Sequence, residues 1–342
     1  MARSRVSTVG VVVNPRAGKD IRRLVSGASH TSDATKVGIV RRVVAGALEQ
    51  GVERVLVASD THRLAVRAID GLDGPIELVD SPHTGSHLDS VIAARELWKH
   101  EAGAVVVLGG DGTCRDVATG WPDVPLIPLS TGTNNVFPLT GDGSAAGVAA
   151  GLVATGAVDV RDVSTQAKRI VVHLDDPRQQ TVSEEVALVE AALVTTTFVG
   201  ARAVTDPDTI RWVVAAIADP AATGLASIAG RVHPIGRDEP GGVLVRLGPD
   251  GDPVRVPIAP GTFTTVRVAA IEPLTAGQVV HLGGAGTVAY DGERTSTATA
   301  DTTITASLDT AGPRVIDVGA TLTRAARLRM FDDRSRRDIH GD

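Results

Sequence analysis

Residues 105–117 read VVVLGGDGTCRDV. A continuous apolar run enters a glycine-rich turn, and a segment with helical spacing leaves it. An unbroken run of Val and Leu suits a strand buried on both faces, as in a parallel sheet covered by helices. The turn at the end of such a strand opens onto a helix N-terminus, where free N–H groups and the positive dipole end attract phosphate. Glycine at positions 109, 110 and 112 lets those N–H groups approach an anion without a Cβ in the way. Asp111 opposes this electrostatics, unless it meets a hydroxyl or a metal ion beside the phosphate. There it could act as a base toward an attacking hydroxyl. The structural alternative, in which Asp111 caps the helix and the glycines serve only the turn, stays open at this level. Thr113 is suited to a cap or to phosphate. The Walker spacing Gly-x-x-x-x-Gly-Lys-Ser/Thr follows no strand signal, and Lys19 stands at a different spacing.

Working outward, apolar runs at 9–13, 54–58, 76–79, 104–108 and 126–128 alternate with helical signals at 17–26, 34–50, 64–69, 88–100 and 113–119. This predicts an α/β N-terminal domain with a parallel sheet, whose ligands bind at the carboxyl ends of the strands. Two more polar turns fall at that edge: Asn14-Pro15-Arg16-Ala17-Gly18-Lys19, and Ser130-Thr131-Gly132-Thr133-Asn134-Asn135. Three such turns together suggest a nucleotide cleft. Beyond residue 158 the texture changes to strand signals at 170–174, 186–194, 242–247, 266–271, 287–290, 302–308 and 314–318, separated by Pro, Gly and Asp. This predicts a β-rich antiparallel C-terminal domain, with one helical run at 208–217 and a Gly/Ala-rich turn after it. The expected division is 1–155, 156–325 and a mixed-charge tail at 326–342, with a second crossing between domains open near the C terminus.

The 342 residues are 43% apolar and 22% charged, an ordinary globular balance with room for two domains. Aromatics make up only 2% and the formal charge is −6, which argues against a nucleic-acid partner needing a basic face and stacking platforms. Cys114 is the sole cysteine, so no intramolecular disulfide forms. The apolar run near the start is cut by Asn14-Pro15, and no stretch approaches the ~20 apolar residues of a membrane span. A soluble, cytoplasmic protein without integral membrane association is expected. His83 and His87 flank Thr84-Gly85 but lack the further ligands of a zinc site, and no metal ligand is assigned. Cys114 reads as a packed residue, and Arg115 as a phosphate contact or a salt-bridge partner.

Taken in order, the turns at 14–19, 109–113 and 131–134 resemble the three N-domain signatures of the NAD kinase and diacylglycerol kinase superfamily. Residues 84–118 and 222–235 are most similar to its ATP-NAD kinase-like members of the acetoin-catabolism type. The resemblance implies phosphoryl transfer from ATP or another phosphate donor, with Mg²⁺, to a hydroxyl. In the NAD kinase branch that hydroxyl is the 2′-OH of the adenosine ribose, and the product is NADP. It implies Asp111 as the acid–base residue. Asn14, Gly18, Lys19, Gly109, Gly110, Gly112, Thr113, Thr131, Gly132, Thr133 and Asn134 would bind nucleotide or phosphate. Glu190, Thr223, Gly224, Ser227, Asp291 and Glu293 would stand on the substrate side. NAD kinases carry Asn-Glu where this chain has Val189-Glu190, and a Thr-Gly-Ser-Thr-Ala-Tyr-like turn where it has Thr223-Gly224-Leu225-Ala226-Ser227. Asp291-Gly292-Glu293 resembles the Asp-Gly-Glu of the lipid-kinase branch, and Asp-Gly is equally a hairpin-turn signal. The acceptor is therefore NAD or a related small molecule. A lipid, or a non-catalytic nucleotide-binding role serving acetoin metabolism, is the alternative. Family members often assemble, so a homo-oligomer is expected.

Overall fold

The computed structural model describes residues 6–17, 31–80, 83–131, 135–195, 206–292 and 294–332. The first half alternates β1 (Thr8–Val13), α1 (Asp33–Leu48), β2 (Arg54–Ala58), α2 (Leu64–Ile69), β3 (Ile76–Val79), α3 (Leu88–Lys99), β4 (Ala104–Gly109), α4 (Asp111–Gly120), β5 (Pro125–Ser130) and α5 (Gly143–Ala154). Strands β1 to β5 pair in parallel in the order β3-β2-β1-β4-β5. Strand side chains alternate between faces, and β4 accordingly feeds two cores. Val106 and Leu108 pack with Val43 and Ala146 beneath α1 and α5, while Val105 and Val107 pack with Leu97 and Cys114 beneath α3 and α4. The helix α5 (GSAAGVAAGLVA) lacks a polar stripe to mark it in sequence. Its small residues let it lie close to α1: a Cβ at Gly147 would stand 2.1 Å from the Val43 carbonyl oxygen.

The second half comprises β6 (Ser164–Gln166), β7 (Arg169–Asp176), β8 (Thr181–Ala187), β9 (Glu190–Val194), β10 (Ile210–Ala215), α6 (Ala226–Val232), β11 (Gly242–Ala259), β12 (Thr262–Leu274), β13 (Val279–Leu282), β14 (Gly286–Tyr290), β15 (Arg294–Ala298) and β16 (Thr303–Asp309). One antiparallel sheet runs β12-β11-β10-β9-β14-β15 and the other β13-β16-β7-β8. They enclose a core of Ile170, Val172, Leu193, Trp212, Val214 and Ile304. The opposite face of the six-stranded sheet is covered by α6, through Ile228 and Ala229 against Val213 and Val243.

The α/β half followed by antiparallel sheets agrees with the fold class expected from sequence. Two local expectations are corrected. Residues 208–217 are not helical: a single 3₁₀ turn at Pro207–Thr209 leads into β10. β10 is central in its sheet, with Trp212 and Val214 in one core and Val213 and Ala215 in the other. A strand buried on both faces shows no polar periodicity to distinguish it from a buried helix. The strand at 314–318 does not belong to the antiparallel sheets. β17 (Arg314–Ile316) enters the first sheet, parallel to β5 and antiparallel to β6, and α7 (Val318–Arg327) follows it. The helix expected at 17–26 lies largely outside the described residues.

Candidate active site

The site grows from the carboxyl edge of β1, β4 and β5. Gly109 ends β4, Gly110 precedes α4 in extended conformation, and Asp111, Gly112 and Thr113 form the first turn of α4. A Cβ at Gly109 would lie 2.5 Å from the Oγ1 of Thr113, so glycine there makes room for the threonine. The Thr113 hydroxyl in turn accepts a hydrogen bond from Asn14 Nδ2 at 2.8 Å, and Asn14 Oδ1 accepts from the N–H of Arg16 at 2.9 Å. The turns after β1 and β4 are thereby joined. Lys36, fully buried on α1, supports the first of them: its Nζ donates to the carbonyls of Pro15 at 2.8 Å and Ala17 at 2.6 Å.

Asp111 reaches across to the loop after β5. Its Oδ1 accepts from the N–H groups of Val136 at 3.0 Å and Phe137 at 2.7 Å. Thr131 is buried, its N–H donates to the Gly109 carbonyl at 3.3 Å, and its Oγ1 has no hydrogen-bond partner among the described residues. A buried hydroxyl without an acceptor is costly, and a ligand oxygen in the cleft would satisfy it. Gly18, Lys19, Gly132, Thr133, Asn134 and Glu293 lie outside the described residues.

The second half meets this edge through buried polar groups. Arg115, on α4, pairs with Asp116 at 2.8 Å and donates through Nη1 to the Tyr290 carbonyl at 2.7 Å. Of its two sequence readings, a salt-bridge partner is observed, and the pair is buried rather than on a helix surface. Asp291 follows at φ 48°, with its carboxylate accepting from the N–H groups of Leu188, Val189 and Glu190 at 2.9–3.3 Å. Burial pushes the Asp291 carboxyl up, against the opposing pull of Arg115 and those N–H groups. Asp291 is thus the closing turn of the β14–β15 hairpin, turned into the protein. Glu190 starts β9 and is 6% exposed. Thr223 to Ser227 sit beside them: Ala222 and Ala226 share a core with Val189, Phe137 and Cys114. Gly224 (φ +83°) donates to the Pro257 carbonyl at 2.9 Å, and Ser227 spends its hydroxyl proton inside this turn, on the Gly224 carbonyl at 2.6 Å. Thr223 Oγ1 is buried without a hydrogen-bond partner among the described residues. Burial pushes the Cys114 thiol well up, as befits a packed residue.

Sequence reasoning missed Lys36, Lys168 and Arg237. A single basic residue on a helix or in a loop carries no periodic or motif signal. Among the described residues no group of three or more His, Cys, Asp or Glu could hold a metal ion. Mg²⁺ commonly takes one or two carboxylates together with substrate phosphates and keeps several waters, so a cleft with few carboxylates is compatible with it. No helix among the described residues is long and apolar enough to cross a membrane.

Residues 9–156 match the ATP-NAD kinase N-terminal domain, and residues 168–311 match the acetoin catabolism protein X C-terminal domain. Over 332 residues the chain is 37% identical to acetoin catabolism protein X of Cupriavidus necator, covering 93% of this chain and 92% of that one. The chain belongs to the acetoin catabolism protein X family. An uncharacterized protein of Archaeoglobus fulgidus is 31% identical over 130 residues, 38% of this chain and 36% of its own. The chain thus combines an NAD kinase-type α/β half with a C-terminal half of the acetoin catabolism protein X type. Its fold is shared with yeast NADH kinase, solved in complex with NADH, at TM-score 0.53 and 14% identity, covering 97% of this chain and 89% of that one.

Proposed function

We propose that this member of the acetoin catabolism protein X family is a phosphotransferase that moves the γ-phosphoryl group of ATP to a hydroxyl of NAD or a related small molecule. The observation that carries this reading is the Asp111 carboxylate, fixed by the N–H groups of Val136 and Phe137 at the first turn of α4. A base must be held within reach of the proton it removes. In the step, the acceptor oxygen attacks the γ-phosphorus, its proton passes to Asp111, and the bond to the departing ADP oxygen breaks. Asn14, Gly109, Gly110, Gly112, Thr113 and Thr131, with Gly18, Lys19 and residues 132–134, would hold the nucleotide and its phosphates. Glu190 and Thr223 would face the acceptor. Mg²⁺ would neutralise charge on the transferred phosphoryl group. The work divides between the α/β half, which takes the phosphate donor, and the β-rich half, which takes the acceptor, in a cytoplasmic setting.

A lipid acceptor is less well supported, because Asp291 is buried, 5% exposed, with its carboxylate turned onto three main-chain N–H groups and away from the cleft edge where half-buried Asp111 stands. A coupled assay for NADP(H) formation, with ATP, Mg²⁺ and either NAD or NADH, tests the proposal. Product that disappears in Asp111→Asn is the expected result. ATP binding without turnover, across NAD, acetoin-related hydroxyl compounds and lipid vesicles, would overturn it in favour of a nucleotide-binding accessory role.

A further inference from the structure

Arg237 lies on the loop after α6, far from the glycine turn in sequence, yet it ends against the loop that holds Asp111. Its Nη2 donates to the Val136 carbonyl at 3.2 Å and also to the Phe137 carbonyl. Its guanidinium lies over the Phe137 ring, 4.7 Å from the centroid. The Val136 carbonyl and the Phe137 N–H belong to one peptide group. That same N–H donates to Asp111 Oδ1 at 2.7 Å. One peptide plane is therefore held at both ends, by a cation from the second half of the chain and by a carboxylate of the first. Hydrogen bonds in such a chain polarise one another: a cation on the carbonyl makes the N–H a stronger donor.

The support behind Arg237 is specific. Lys168, just before β7, donates through Nζ to the carbonyls of Gly236 at 3.0 Å, Glu239 at 2.6 Å and Gly241 at 3.0 Å, and so fixes the loop on both sides of Arg237. Burial pulls the Arg237 guanidinium down from its ordinary value, and its Nη1 is buried without a hydrogen-bond partner among the described residues. Placing an arginine here costs desolvation that packing alone does not require.

We infer that Arg237 is a positioning residue for Asp111, acting through the Val136–Phe137 peptide to orient the carboxylate. This inference rests on the reading of Asp111 as the base. Cys114 and the buried Arg115–Asp116 pair follow Asp111 on its own helix, with Asp291 behind them. Arg237 reaches the Asp111 loop from the second half.

The chain has four phenylalanines, so ¹⁵N-phenylalanine labelling gives four backbone amide signals, and Phe137→Leu assigns the one in question. In the full-length protein the Phe137 amide proton should lie downfield, and Asp111→Asn should move it upfield. Arg237→Met should move that signal upfield as well, leaving the other three signals in place. Arg237→Lys, which keeps a cationic donor, should restore part of that shift. If Arg237→Met disturbs all four signals, the comparison is made on Arg237→Lys, with Asp111→Asn as the reference for a lost carboxylate. A Phe137 amide signal unchanged by substitution at 237 would overturn the inference. In turnover, Arg237→Met should lower kcat about 10- to 100-fold with KM nearly unchanged. The amide signature is read without turnover. An intact wild-type signature with no product from any acceptor would therefore count against the proposed reaction and not against the positioning role.

Discussion

Two Asp-Gly pairs in this chain have opposite fates. Asp111-Gly112 opens α4 at the edge of a parallel sheet, while Asp291-Gly292 closes the β14–β15 hairpin with positive φ at both residues. Both carboxylates accept main-chain N–H groups from another part of the fold, Val136 and Phe137 in one case and Leu188 to Glu190 in the other. Asp111 is half-buried among turns that contain an unsatisfied Thr131 hydroxyl. Asp291 is 5% exposed and packed behind Arg115. The dipeptide alone does not distinguish reactive from structural roles. The strand that precedes it does, because the end of a parallel strand faces a cleft and the end of an antiparallel hairpin strand faces its own turn.

The largest expected difference between the pair is in turnover. Asp111→Asn keeps an oxygen to accept from Val136 and Phe137, so fold and ATP binding should persist while phosphoryl transfer falls by about 10²-fold or more. Steady-state kinetics beside a thermal melt would show it, and unchanged turnover would remove Asp111 from the chemistry. Asp291→Ala should behave in the reverse manner. It strands three N–H groups and leaves the buried Arg115 with one fewer counter-charge, at a cost of about 2–4 kcal/mol in urea unfolding. Activity per folded molecule should survive.

Titration separates the structural role further. Burial raises the folded-state pKa of Asp291 above its ordinary 3.8. Its contribution is fully present below 3.8 and is lost as pH rises through the folded value, because the folded protein holds the proton longer. Relative to Asp291→Asn, the wild type should therefore lose unfolding free energy as pH rises above 3.8. The smallest effect belongs to a third aspartate. Asp142 caps α5, accepting from Ser144 at 2.8 Å and Ala145 at 3.2 Å, and these bonds lower its pKa. Asp142→Ala should cost about 1 kcal/mol. The sign is opposite: the lowered pKa gives stability that is present above 3.8 and lost as pH falls. A matched pair of pH–stability curves would check both signs.

The first half was largely legible because its strands are short apolar runs punctuated by Gly, Pro and Asn, and because β1, β4 and β5 end in turns with a shared chemistry. β10 and α5 were not: one is apolar on both faces and the other is nearly all Gly, Ala and Val, so neither carries a period. In the site, Asp111, Asn14 and Thr113 were legible from their turns. Lys36, Lys168 and Arg237 were not, since each acts on main-chain carbonyls remote in sequence and nothing in the local sequence marks the recipient. Ser227 was legible as a position, but whether its hydroxyl faces a ligand or its own turn depends on Pro257, a contact made only when the chain is folded.

β17 also bears on how the chain comes into being. The first sheet takes its sixth strand from residues 314–316, after every strand of the two antiparallel sheets has been made. During synthesis β5 leaves the ribosome with one edge uncovered, and it stays uncovered until the β-rich half has emerged. The β-rich half is thus an insertion held at both ends by one sheet. Its completion is the condition for sealing an edge that would otherwise pair with another chain.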